Sequence, residues 1–194
     1  MSLMNASWFT KLNMFPYLIR NIHITTYNIL YTMHSNIYQV STEKISKDQF
    51  ITEATFSDCD YSFFDWCANL PEEEQEQAID QLVDNLLPKG MFSRNSDEPR
   101  TIIYHGGADD WKRQWVERIH KRAEAITPEN VTEWIGSTYR LEQELEDPLD
   151  IGSRFVTSDY ESSDAQKSSE LMKQICTLKP GTKLYIGGII DYHW

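Results

Sequence analysis

Cysteine is scarce in this 194-residue chain, with only Cys59, Cys67 and Cys176. A disulfide scaffold would carry more, and their spacing fits no metal-ligand pattern. They read as free thiols of a reducing compartment, so a cytoplasmic location is expected. Long apolar runs are missing too. None approaches the ~20 residues that a membrane-spanning helix needs, so no membrane span is expected. Bases are few, 18 Lys and Arg against 30 Asp and Glu, a net charge of −12. That balance argues against non-specific nucleic-acid binding, which needs a basic footprint, so none is expected. It also argues against docking to an anionic membrane. Neither G-x-x-x-x-G-K-[ST] nor G-x-G-x-x-G occurs, so no standard nucleotide loop and no cofactor is expected. No G-x-S-x-G occurs either, which removes the nucleophile elbow of serine hydrolases.

Acids are absent altogether from residues 1–32, whose only formal charges are Lys11 and Arg20. Residues 33–194 then hold 16 bases against 30 acids, a net of −14. Three readings of this leader compete: an organelle-targeting peptide, an amphipathic segment packed on the domain or a membrane, and sequence upstream of a true initiator at Met33. The composition breaks close to Met33, which favours the last. On that reading residues 1–32 are a mis-assigned start or a disordered extension that adds little to the core. Residues 33–194 then form one domain.

What is there is ample apolar material, 40% of the residues, with 12% aromatic. That suffices to bury a core. "LPEEEQEQAIDQLVDNLLPKG" predicts a helix, with Pro71 and three glutamates at its positive end and a stripe of Ala78, Ile79, Leu82, Val83, Leu86 and Leu87. "IYQVSTEKI" (37–45) and "RTIIYH" (100–105) predict strands, as do "SRFVTS" and the C-terminal "TKLYIGGIIDYHW", where Gly187 and Gly188 mark a bulge or bend. Residues 50–56 alternate as a strand would, although Ser46 before Asp48 and Gln49 is a helix start. Residues 61–70 read as a short apolar helix and 93–99 as a loop. A helix capped by Asp109 or Asp110 is expected to turn Trp111, Trp115, Ile119, Ala123 and Ile126 inward. A further helix is expected from Pro128 through Val131, Trp134 and Ile135, with Thr127 as its cap. "YRLEQELEDP" and "SSDAQKSSELMKQICTL" complete the helices. Strands and helices are interspersed without regular βαβ spacing. The expected class is α+β: a single compact domain with a small, mostly antiparallel or mixed sheet and four to five helices.

Chemistry has few places to sit. In "YHGGADDW" (104–111), His105 ends a strand and faces a glycine turn. Asp191 and His193, two apart, share a face if they lie on a strand. Were the two strands neighbours, His105, Asp191 and His193 would converge in a set suited to zinc or iron, or to general acid–base work. The structural alternative gives the glycines to backbone freedom and the aspartates to the helix dipole, and it needs no catalysis.

The "YHGG" stretch also resembles the histidine–glycine strand end of one branch of the ADP-ribosyltransferases. That branch has a tyrosine further along, where Tyr160 stands in "SDYESSDAQKSSELM". Arg140 and "RFVTSD" are similar to the arginine and serine–threonine–serine strand of another branch, and "LKPGTKLYIGG" to the strand entry before its catalytic glutamate. The resemblance implies ADP-ribose transfer with His105 and Tyr160 at the site. The chain departs from the pattern, because no glutamate follows Glu170 to polarise the ribose.

The opposite class is a binding protein, and it is the leading expectation: a small acidic protein that acts through an unidentified protein partner. Acids cluster at 72–76, 142–147 and 159–164, and the helix after the glycine turn has a basic flank of Lys112, Arg113, Arg118, Lys121 and Arg122. That flank serves an acidic partner or pairs with nearby carboxylates. Of the six tryptophans, Trp111, Trp115 and Trp134 sit at helical spacing and are expected in the core. Trp66 and Trp194 are the exposed candidates for an interaction surface.

Overall fold

A computed structural model describes residues 34–57, 64–157 and 164–193. The chain divides into two units, Met1–His34 and Ser35–Trp194. All the buried apolar residues that are described belong to the second. It is an α+β fold with five helices and one six-stranded mixed sheet among the described residues.

The first strand, β1 (His34–Ser41), is buried on both faces from Ile37 to Val40, so it runs through the interior instead of alternating in and out. A single 3-10 turn at Lys47–Gln49 and the short helix α1 (Glu53–Ser57) follow. Residues 50–56 are thus not a strand, but Ser46 starts only this one turn: Gln49 Oε1 accepts the Ser46 N–H at 3.2 Å, the backbone is extended again at Phe50, and α1 begins separately at Glu53. Next comes β2 (Trp66–Asn69), where the sequence predicted a helix. Short apolar runs do not separate helix from strand by period. Here the backbone of 66–69 pairs antiparallel with the end of the long last strand, β6 (Lys183–His193).

Helix α2 (Glu72–Gln81) begins after Pro71 and carries Ala78 and Ile79 inward. It runs into one π-helical turn, Leu82–Leu86, closed by Leu87 N–H to Leu82 O at 2.8 Å. The wider turn keeps Leu82, Val83 and Leu87 buried, while Leu86 is only half-buried. A hairpin follows, β3 (Phe92–Arg94) with β4 (Thr101–Tyr104). The predicted loop at 93–99 thus overlaps a strand by two residues, Ser93 and Arg94. Helix α3 (Ala108–Glu124) is not capped by either aspartate. Its cap is Gly107, at φ 95°, a left-handed conformation that favours glycine. Asp109 and Asp110 pair one turn on with Lys112 and Arg113. Only Trp111 of α3 is buried, Trp115 and Ile119 are half-buried, and Ala123 is exposed.

The expected helix from Pro128 to Ile135 is absent; the segment is a series of turns that leads to α4 (Ser137–Glu146). Then come β5 (Arg154–Val156) and α5 (Ser168–Ile175), which buries Leu171, Met172 and Ile175 as its pattern predicts.

Strand order is β3-β4-β6-β1-β5, with β2 added on β6. Most pairs are antiparallel; β1 and β5 run parallel. One core lies between a sheet face and α2, α5 and the start of α3, and includes Tyr38, Ile79, Leu82, Ile102, Trp111 and Phe155. A smaller cluster holds Ile37, Ile51, Phe56, Val156, Ile190 and Tyr192. Strand β6 switches between them. Leu184 and Ile186 face the large core, yet so does Ile189, three positions on, while Ile190 and Tyr192 face the small one. Alternation fails at Gly187–Gly188, the expected irregularity. A Cβ on Gly187 would run into the Gln39 carboxamide, and one on Gly188 into the Ile51 carbonyl oxygen, so both glycines serve close approach.

Candidate functional site

Three places were open for chemistry or recognition: the strand end at His105, the C-terminal Asp191 and His193, and the surface around the basic helix.

His105 follows β4, and its N–H donates to Met91 O at 2.8 Å. The side chain is exposed, with Nε2 2.7 Å from Ser93 Oγ across the hairpin. It lines the rim of an open cleft of about 680 Å³ with Lys89, Gly107, Asp110, Trp111 and Arg118. Gly106 and Gly107, at φ 104° and 95°, turn the chain from β4 into α3 beside it. The volume suits a small ligand. Of its two cations, Arg118 is committed elsewhere: Nε contacts Glu144 Oε1 at 2.7 Å and Nη2 donates to the Pro148 carbonyl at 3.1 Å.

Asp191 and His193 do not join it. Ile103, near the His105 end of β4, pairs with Lys183 at the opposite end of β6. At about 3.3 Å per residue, Asp191 and His193 lie roughly 25–35 Å farther along that strand. Asp191 pairs with Ala68 and His193 with Trp66, and His193 Nδ1 sits 2.6 Å from Asp65 Oδ1. The convergence expected from the sequence required β4 to meet the other end of β6, and the register runs the other way. Among the described residues no three His, Cys, Asp or Glu side chains are grouped to hold a metal ion. Tyr160 and Trp194 lie outside the described residues. Arg140 is on the exposed side of α4, away from the His105 cleft lining.

The basic flank of α3 divides. Lys112 and Asp109 are 2.8 Å apart, and Lys112 holds the Asp109 carboxyl below its usual range, through their hydrogen bond first and its charge second. Arg118 and Arg122 converge on Glu144 of α4, at 2.7 and 3.7 Å. Glu144 is buried, and its carbonyl accepts the Trp115 indole N–H at 2.9 Å. These contacts clamp α3 to α4. Lys121 is left over, with no ion pair or hydrogen bond among the described residues.

Beyond that clamp lies what the sequence reading missed. Trp134 is 91% exposed and Ile135 74%, with Val131 also exposed. They sit on a loop pinned by one side chain. Asn130 Oδ1 accepts the Thr127 N–H at 2.8 Å, and Nδ2 donates to Ala125 O at 2.9 Å and to Ser137 Oγ at 3.3 Å. The Val131 and Glu133 N–H groups close two backbone turns, onto Thr127 O and Asn130 O. Beside the loop is a hollow of about 320 Å³ lined by Lys121, Arg122, Glu133, Ile135 and Arg140. The signal for this site was the "TPEN" turn composition, which reads equally as a helix cap.

No helix among the described residues is long and apolar enough to cross a membrane. The chain matches no known protein family, and no curated protein or solved structure matches it.

Proposed function

We propose that the protein acts by binding another protein, with the Val131–Ile135 loop as its contact surface. The observation that carries this is Trp134, 91% exposed and flanked by Ile135 on a loop pinned by Asn130. Isolated exposed apolar residues are ordinary, but tryptophan beside isoleucine with basic side chains at the rim is the composition of interface centres. A pinned loop loses little freedom when it binds, so more of the contact energy appears as affinity. A photo-crosslinking amino acid at position 134, with a control at exposed Glu73, tests it in cells that make the protein. Discrete crosslinked species from position 134 alone are expected. Equal patterns from the two positions overturn the reading.

A second reading rests on the His105 cleft: an enzyme, ADP-ribosyltransferase-like or of another hydrolytic or transfer chemistry, with His105 at its rim. What favours it is the Ser93–His105 contact at 2.7 Å beside a cleft of ligand size. His105→Ala at unchanged stability would then abolish a small-molecule-dependent rise in melting temperature. If no compound in a ligand screen raises that temperature for the unmodified protein, this reading loses its support.

A further inference from the structure

Resting on the docking reading above, we infer that the loop's partner is an acidic segment bearing an apolar or aromatic side chain. The hollow at the loop's flank sets its sign. Three cations, Lys121, Arg122 and Arg140, line it against one acid, Glu133. Arg122 shares Glu144 with Arg118, at a loose 3.7 Å. Lys121 and Arg140 make no ion pair among the described residues, although the chain as a whole has 30 acids to 18 bases. Elsewhere on α3 each cation has an acid in place: Lys112 has Asp109, Arg113 has Asp110, and Arg118 has Glu144. The two uncommitted cations therefore stand apart from the paired cations of α3.

Trp134 and Ile135 supply the other half of the recognition. Ile135 itself lines the hollow, so a partner side chain that packs on Ile135 brings its neighbours within reach of Lys121 and Arg140. The chain's net charge of −12 does not prevent this. At physiological salt, charges more than about 8 Å away are largely screened, and the nearby cations decide the contact. Arginine also takes a carboxylate in a two-pronged geometry that a neutral partner leaves unused.

The test uses the full chain and two fluorescent 12-residue peptides with the same leucine and phenylalanine positions. One fills the remaining positions with Asp and Glu, the other with Asn and Gln. Salt titration would not separate the effects, because added salt weakens both the local attraction and the global repulsion. Charge exchange does. By fluorescence anisotropy the acidic peptide should bind, and the amide peptide on the order of tenfold more weakly or not at all. Lys121→Glu with Arg140→Glu should remove the preference, and the milder Lys121→Gln with Arg140→Gln should reduce it. All four are surface changes whose folding is checked by thermal melting. Trp134→Ala should weaken binding of the acidic peptide. Equal binding of the two peptides, no binding of either, or an unchanged preference in the charge variants overturns the inference. The two claims fail separately. If crosslinks from position 134 persist in the Lys121→Glu, Arg140→Glu background, docking stands and the acidic partner falls. If there are no crosslinks from 134 in the unmodified background, docking falls as well.

Discussion

Replacing Gln39 with methionine should cost about 2–6 kcal/mol, more than any surface change in the molecule. Gln39 sits on β1, 3% exposed, and its carboxamide ties three strands of chain together. Oε1 accepts the Ile51 N–H at 3.0 Å and the Gly188 N–H at 2.9 Å; Nε2 donates to Gln49 O at 3.0 Å. Both N–H groups are buried in contacts that exclude water, and methionine keeps the volume while removing the acceptor. Each stranded donor costs about 1–3 kcal/mol, whereas the volume-conserving swap adds little of its own. The Gln49 carbonyl is only partly buried and water takes over there, so it adds little to the loss. With a urea dependence of about 2 kcal/mol per molar, the unfolding midpoint should fall by roughly 1–3 M. Gly188→Ala attacks the same approach from the other side, because its Cβ meets the Ile51 carbonyl, a backbone atom that cannot swing aside. Since both changes release residues 49–51 from β6, their costs should not add; the double variant should fall short of the sum by about 1 kcal/mol or more. A cost for Gln39→Met under about 0.5 kcal/mol, the size of a surface substitution, or strict additivity with Gly188→Ala, would refute the reasoning.

Leu82→Ala, at a fully buried position in the π-helical turn, should lower stability by about 2–5 kcal/mol in urea denaturation. Burial pushes the Tyr38 hydroxyl up to about 12, although its hydrogen bond with Asn36 pulls the other way. The neutral form is thus favoured in the folded state: the stabilisation is complete below the unfolded value near 10 and is lost as pH rises through about 12, amounting to about 2–3 kcal/mol. Tyr192 shifts in the same direction, also through burial first. Tyr38→Phe should therefore shrink, without abolishing, the fall in unfolding midpoint between pH 9 and 12. Trp134→Ala should change the unfolding free energy in urea by no more than a surface substitution does, because the indole is almost wholly in water, and a loss above about 2 kcal/mol would mean that the loop packs against something.

Where a residue's role is set by its own stretch of chain, the sequence was legible. The stripe of α2 needed only its period and Pro71, and it buries Ala78, Ile79, Leu82, Val83 and Leu87. Gly187 and Gly188 stood out as a break in an apolar strand, and the strand does change face there. β2 was not legible. Residues 66–69 become a strand because the end of β6 offers an unpaired edge, and that edge is built by residues over a hundred positions later. The clamp on Glu144 belongs to the same class. Arg118, Arg122 and Trp115 reach it only once α3 and α4 lie side by side.

Two expected placements failed for related reasons: the convergence of His105 with Asp191 and His193, and the burial of Trp134. His105, Asp191 and His193 each sit where a strand end was expected, but whether strand ends meet depends on register. Pairing Thr101 with Tyr185 and Ile103 with Lys183 sends Asp191 and His193 away from His105. Trp134 failed in the other direction. Its spacing from Val131 fits a helix face, and such a face is buried only if another element covers it. Here Asn130 closes the chain into turns before a helix begins, through its bonds to Thr127, Ala125 and Ser137. Without helical continuity, Trp134 and Ile135 project into solvent instead of against α3. Their exposure contributes nothing to folding, since burial is what makes an indole stabilising. The helix period that predicted a core position is thus the same spacing that, once the chain turns at Asn130, presents an apolar surface beside Lys121 and Arg140.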